Sequence, residues 1–256
     1  MDLTTCSAIV TGGAGGLGAA TARHLVLLGL GVAVFDRDGE RAKALAYELG
    51  ERAVAVCGDV TNDEHVAEAI EAARSVGTLS VVVNIAGGGN KPERTVGRDG
   101  SPHGMQAFVD TLTSNTFGTF NVTRLAAAAM AGNAPDEDGQ RGVVINTGSV
   151  AAYEGQVGQV PYAAAKAAIL AMSLPLARDL APLGIRVCAI APGTIGTELM
   201  LNASASITDP LVSTILFPKR MGHPHEFALL VEAIVKNPYL NGENIRLDAA
   251  QRFAAK

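Results

Sequence analysis

The sequence predicts an α/β protein built on one doubly wound parallel sheet with helices on both faces. Three observations predict it. Short β-branched runs alternate with helical stretches over most of the 256 residues, the pattern of successive βαβ units. Runs such as Val81-Val82-Val83 are apolar throughout rather than alternating, as in strands covered on both sides. The 29 glycines have no collagen period, aromatics are 4% and tryptophan is absent. That leaves a core of Ala, Val, Leu and Ile, which suits helices lying close on a buried sheet.

The elements follow in order. Strands are expected at Ser7–Thr11, Gly31–Asp36, Ala53–Cys57, Leu79–Ile85, Gly142–Thr147, Arg186–Ala191 and Asn244–Leu247. Helices are expected at Gly16–Leu28, Asp38–Leu49, Asp63–Ser75, Gln106–Ala131, Pro161–Leu180 and Pro224–Lys236. Gly29, Gly50 and Gly184 read as helix C-caps. Right-handed crossovers then wind the sheet in both directions. Three segments do not fit an element. Residues 87–104 are polar and rich in Gly and Pro, 133–141 form an acidic turn, and 195–221 follow Pro192-Gly193. This last stretch leaves a strand end and reads as a lid over about 194–221. With no linker and no repeat, residues 1–256 are expected to form one domain.

Composition excludes several classes. A net charge of −5 offers no basic footprint for nucleic acid or an anionic membrane. Cys6, Cys57 and Cys188 are far apart and odd in number, which suggests buried thiols in strands rather than disulfides or zinc ligands. His24, His65, His103, His223 and His225 lack metal-pair spacing, so no metal is expected. No secretory or Arg-rich leader is read, and no run of about 18 apolar residues is seen, so a cytoplasmic, non-membrane location is expected.

The first strand runs into Thr11-Gly12-Gly13-Ala14-Gly15-Gly16-Leu17-Gly18 and then a helix. Glycines here permit a tight turn and let the backbone approach a pyrophosphate. The helix start presents free N–H groups and a positive dipole end. The predicted fold is therefore of the dinucleotide-binding Rossmann type. Asp36 ends the second strand about 20 residues beyond the turn, where a carboxylate accepts from the adenosine ribose hydroxyls. A 2′-phosphate there would meet like charge, which selects NAD over NADP, with the neighbouring Arg37 as a softening influence. Asp59 and Val60 follow the third strand, and Ile85, Ala86 and Gly87 end the fourth, at the sheet edge where a cofactor crevice opens. Asp59 is placed to accept from the adenine amino group, although loop chemistry explains both segments equally well.

Tyr162 and Lys166 are four residues apart on one helix, so phenol and ammonium share a face. A phenol of pKa about 10 needs a nearby cation to act as a base near neutrality. Ser149, at the end of the strand before that helix, can hydrogen-bond the same substrate oxygen. Asn115 lies among small residues inside a helix, which suggests a hydrogen-bonding task. No GxSxG turn surrounds Ser149, so hydrolase chemistry is set aside.

TGGAGGLG at 11–18, NIAG at 84–87, Asn115, Ser149, Tyr162-AAA-Lys166 and Pro192-Gly193 together resemble the short-chain dehydrogenase/reductase superfamily along essentially the whole chain. The resemblance implies Tyr162 as general acid/base, Lys166 as its pKa modulator and ribose ligand, and Ser149 as the group orienting the substrate carbonyl. It implies that Asn115 holds a relay water and that Ile195 and Thr197 touch the nicotinamide carboxamide. Ile85 departs from the superfamily's frequent Asn, at a position that acts through its backbone. The stretches 139–166, 176–187 and 237–250 are similar to the type II 3-hydroxyacyl-CoA dehydrogenases, also called type 10 17β-hydroxysteroid dehydrogenases. That implies NAD, a homotetramer and a short 3-hydroxyacyl-CoA or a steroid as substrate. A 3-oxoacyl-carrier-protein reductase and a non-catalytic cofactor sensor or scaffold are the alternatives. Asp36 weighs against the reductase, which usually takes NADPH. The intact Ser149, Tyr162 and Lys166 set weighs against the sensor.

Overall fold

The computed structural model describes residues 2–89 and 92–255. In chain order the elements are β1 Cys6–Thr11, α1 Gly16–Leu27, β2 Gly31–Asp36, α2 Gly39–Leu49, β3 Ala53–Cys57, α3 Asp63–Ser75 and β4 Thr78–Asn84. They continue with α4 Met105–Leu112, α5 Gly118–Met130, β5 Gly142–Thr147, α6 Ala151–Glu154, α7 Val160–Leu180 and β6 Ile185–Pro192. The last are α8 Glu198–Leu201, α9 Ala205–Ser213, α10 Pro224–Lys236 and β7 Asn244–Leu247. The seven strands form one sheet in the order β3-β2-β1-β4-β5-β6-β7, and every neighbouring pair is parallel. The chain reverses direction across the sheet between β1 and β4, which opens a crevice at their carboxyl ends.

Period-two alternation explains why these strands are apolar on both faces. Ala8, Val10, Val32, Val34, Val81 and Val83 join a core under α1 and α10 that includes Leu25, Phe227 and Val231. The intervening Ile9, Ala33, Phe35 and Val82 join the opposite core, with Val66 and Ile70 from α3 and Val122 and Met130 from α5. Each fully buried large side chain contributes about 1.5–3 kcal/mol.

Four expectations need correction. The helix expected over 106–131 divides into α4, a π turn over Thr113–Phe117 and α5, with Asn115 in the widened turn, a feature common at functional sites. Cys6 and Cys188 are buried, but Cys57 is exposed, because it ends the edge strand, where the covering layers run out. Residues 195–221 carry α8 and α9. A stretch long and apolar enough to cross a membrane does exist, at residues 160–183. It forms α7 and the turn after it, whose Ala165, Ile169, Leu170 and Ala177 are buried.

Candidate active site

The strands deliver their last residues to one edge. Thr11 ends β1 and its Oγ1 accepts from Ile85 N and Ala86 N, both at 3.0 Å, which ties the glycine turn to the end of β4. Asp36 ends β2; its Oδ2 accepts from Ala14 N and its Oδ1 from Asp38 N, each at 3.0 Å. The carboxylate thus braces the glycine turn while lining a cleft of about 920 Å³.

That cleft gathers most of the residues singled out in the sequence. Gly12, Gly15, Gly16, Leu17, Gly18, Asp36, Asp59, Val60, Ile85, Ala86, Gly87, Tyr162, Lys166 and Thr197 all line it. Asn115, Ser149 and Ile195 do not belong to the lining described. Ile195 is buried, 8% exposed, and pairs with Gly222. Sequence reasoning placed Thr11 only as the opening residue of the glycine motif and missed its hydrogen bonds to the end of β4, because a threonine at a strand end carries no spacing signal for them. It also missed Arg41 and Glu198, which line the cleft and form a 3.1 Å ion pair across it.

The cleft fits a dinucleotide. A Cβ on Gly18 would lie 2.0 Å from the Gly12 carbonyl oxygen, and Gly12 itself takes φ +61°. The turn is held so close to the first turn of α1 that only glycine serves, which leaves the α1 amino end open to an anion. At the other end Thr147 lines the cleft, and its buried Oγ1 has no partner among the described residues. Gly18→Ala is expected to remove most nicotinamide-cofactor binding while leaving the far-ultraviolet circular dichroism of the folded chain. Fluorescence titration with NADH checks it, and unchanged affinity would show that the turn is not the phosphate cradle.

Ser149, Tyr162 and Lys166 meet where β5 hands over to α7. The Ser149 hydroxyl lies close enough to the Tyr162 phenol to lower its pKa, and its Oγ accepts from Ala151 N at 3.1 Å. Lys166 is 3% exposed, and its Nζ donates to Thr147 O at 3.0 Å and lies 5.8 Å from the Tyr162 ring centroid. Burial pushes Lys166 down to about 8. Burial also pushes the Tyr162 phenol above its ordinary value, with the Ser149 hydroxyl acting in the opposite sense. The ammonium addresses the Thr147 carbonyl, and loss of hydration governs the phenol.

The Asn115 amide is committed to the loop beside Tyr162. Its Oδ1 accepts from Gly88 N at 3.2 Å, and its Nδ2 donates to Gly88 O at 3.0 Å and to Thr111 O at 2.9 Å. Asp59 Oδ1 accepts from Thr61 N at 2.9 Å and Thr61 Oγ1 at 2.7 Å, while its Oδ2 lies 3.8 Å from Arg37. Residues 92–104 fold back on themselves through Gly97 N to Ser101 O at 2.8 Å. A second cavity of about 120 Å³ lies against Tyr162, with Gly89, Pro92, His103, Thr111 and Gly158 in its wall.

A parallel sheet with a glycine cradle and a Ser-Tyr-Lys group at its carboxyl edge defines a nicotinamide-dependent oxidoreductase. The chain belongs to the short-chain dehydrogenase family, whose model matches residues 7–207. It is 47% identical to human 3-hydroxyacyl-CoA dehydrogenase type-2 over 96% of this chain and 95% of that protein. A crystal structure of 3-hydroxyacyl-CoA dehydrogenase type-2 from Mycobacterium avium matches with TM-score 0.96 and 48% identity, over 98% of both chains. The 3-ketoacyl-(acyl-carrier-protein) reductase of Brucella melitensis, complexed with NADH, matches with TM-score 0.86 and 26% identity over 98% of this chain and 100% of that one.

Proposed function

We propose that the protein oxidises the secondary hydroxyl of a 3-hydroxyacyl-CoA to the ketone, with NAD as the electron acceptor, and runs the reverse reduction. The observation that carries the substrate class is the near-complete, 47% identical match to a protein of that name. Bound nicotinamide supplies the hydride acceptor. Ser149 holds the substrate oxygen and Tyr162 takes its proton, so the C–H electron pair and the O–H proton leave separately. Buried Lys166 supplies positive charge behind the phenol. The Gly12–Gly18 turn, Asp36 and Thr197 hold the cofactor, and the segment 194–221 acts as the lid.

Acetoacetyl-CoA reduction with NADH, run beside a panel of steroids, tests the substrate. Turnover of steroids alone would replace the acyl-CoA reading with the hydroxysteroid one. The coenzyme preference rests on Asp36, whose carboxylate stands at the cleft wall. Asp36→Ala is expected to narrow the NADH-over-NADPH ratio of kcat/KM by about tenfold or more, as removal of one close like charge does. A wild type that prefers NADPH would overturn the assignment.

A homotetramer in the cytoplasm completes the proposal. Exposed Met105, Val109, Phe117 and Phe120 along α4, the π turn and α5 support assembly, and light scattering measures it.

A further inference from the structure

We infer that Gln251 is a positioning residue that ties the start of the lid to the end of α9 from the C-terminal turn. This rests on the reading of 194–221 as the cover of the cofactor cleft. Gln251 is fully buried, an unusual place for a glutamine, and its amide is divided between two parts of the lid. Its Oε1 accepts from Thr194 N at 2.9 Å, at the start of the lid and three residues before Thr197, which lines the cleft. Its Nε2 donates to Leu211 O at 2.9 Å and to Thr214 Oγ1 at 3.0 Å, at the carboxyl end of α9. One planar amide therefore bridges the start of the lid and the end of α9.

The turn that presents Gln251 is strained. Ala249 and Ala250 take φ +50° and +58°, left-handed backbone that L residues enter only at a cost. Asp248 holds the turn, its Oδ1 accepting from Ala250 N at 3.1 Å and its Oδ2 from Arg246 Nε at 2.7 Å. Leu216 N donates to Ala249 O at 3.3 Å, and Gly193 N to Leu247 O at 2.9 Å. The approach is close: a Cβ on Gly193 would lie 2.8 Å from Gln251 Oε1. Arg246 Nη1 also reaches Glu154 Oε1 at 2.9 Å, and Glu154 ends α6, the helix that follows Ser149. Strain that persists between a lid and an active-site helix is strain with a task. Here it aims one amide at the lid.

The test is residue-resolved hydrogen exchange on Gln251→Ala and on the milder Thr214→Val, which leaves the buried glutamine in place. Gln251→Ala is expected to speed exchange of lid amides, Thr194 included, by about tenfold or more, with the β1 and β4 amides unchanged. Thr214→Val should speed exchange at the end of α9 and leave Thr194 protected. In turnover, Gln251→Ala should raise KM for NADH about tenfold with kcat within about threefold, because a loosened cover weakens holding more than chemistry. Uniformly faster exchange across the sheet would make Gln251 a purely structural residue and overturn the inference, as would unchanged lid exchange in both variants. Exchange needs no substrate, so it stands even if wild-type protein fails to reduce acetoacetyl-CoA, a result that would remove only the proposed function.

Discussion

Tyr162→Phe is expected to lower kcat by roughly a thousandfold, the scale of general acid–base catalysis, while NADH binding changes little. The substitution keeps the ring, and with it the wall of the small cavity shared with His103, Thr111 and Gly158. It removes the phenolic oxygen that Ser149 acts on. The pH dependence carries a second signature. Alcohol oxidation needs the phenol without its proton, and burial raises the phenol's pKa. Wild-type kcat/KM for oxidation should therefore climb as pH rises through the neutral and mildly alkaline range. Ketone reduction needs the protonated phenol and should lack that climb. The residual rate of the Phe variant should be flat in both directions. Stopped-flow and steady-state rates across pH check this, and a variant within about tenfold of wild type would remove Tyr162 from the proton-transfer role.

The sheet was legible because its code is local. Gly31–Asp36, Ala53–Cys57, Gly142–Thr147 and Asn244–Leu247 fall on the strands expected for them, since an apolar β-branched run bounded by turn residues leaves few alternatives. The cleft lining was legible for the same reason. A parallel sheet places every strand's last residue at one edge, so Asp36 and Gly87 converge from opposite sides of the β1–β4 switch. The π turn at Asn115 was not legible, because it depends on which carbonyls the Gly88 loop engages, a contact 27 residues distant. The pairing of Tyr162 with Lys166 on one helix face was legible. Where the ammonium points was not, since the Thr147 carbonyl that receives it comes from another element. Gln251 was silent for the same reason: a glutamine near a C-terminus has no pattern, and only the folded turn shows what its amide holds.

Lys166→Met is expected to lower kcat by about a hundredfold or more and yet raise thermal stability at pH 7. The ammonium is buried and its pKa falls from 10.5 to about 8, so the folded protein holds that proton less tightly than the unfolded chain does. The corresponding cost to folding is about 3 kcal/mol. It is present in full below the folded pKa of about 8, shrinks as pH rises, and is gone above the unfolded value of 10.5. Methionine removes the charge at similar length but leaves the Thr147 carbonyl without its donor, a loss of about 1–3 kcal/mol. At pH 7 relief of the charge outweighs that loss, and Tm should rise by about 2–4 °C for each net kcal/mol. Near pH 10 the folded lysine is neutral, most of the burial cost is gone and its hydrogen bond remains, so the order should reverse. Scanning calorimetry of both proteins at pH 7 and near pH 10 measures the crossing. A methionine variant less stable than wild type at both pH values would show that Lys166 carries no burial cost. Retained activity in that variant would show that its charge is not needed behind Tyr162. Both outcomes follow from one group placed where chemistry wants a cation and the fold does not, so an inactive but more stable variant is the result that ties buried Lys166 to the reaction.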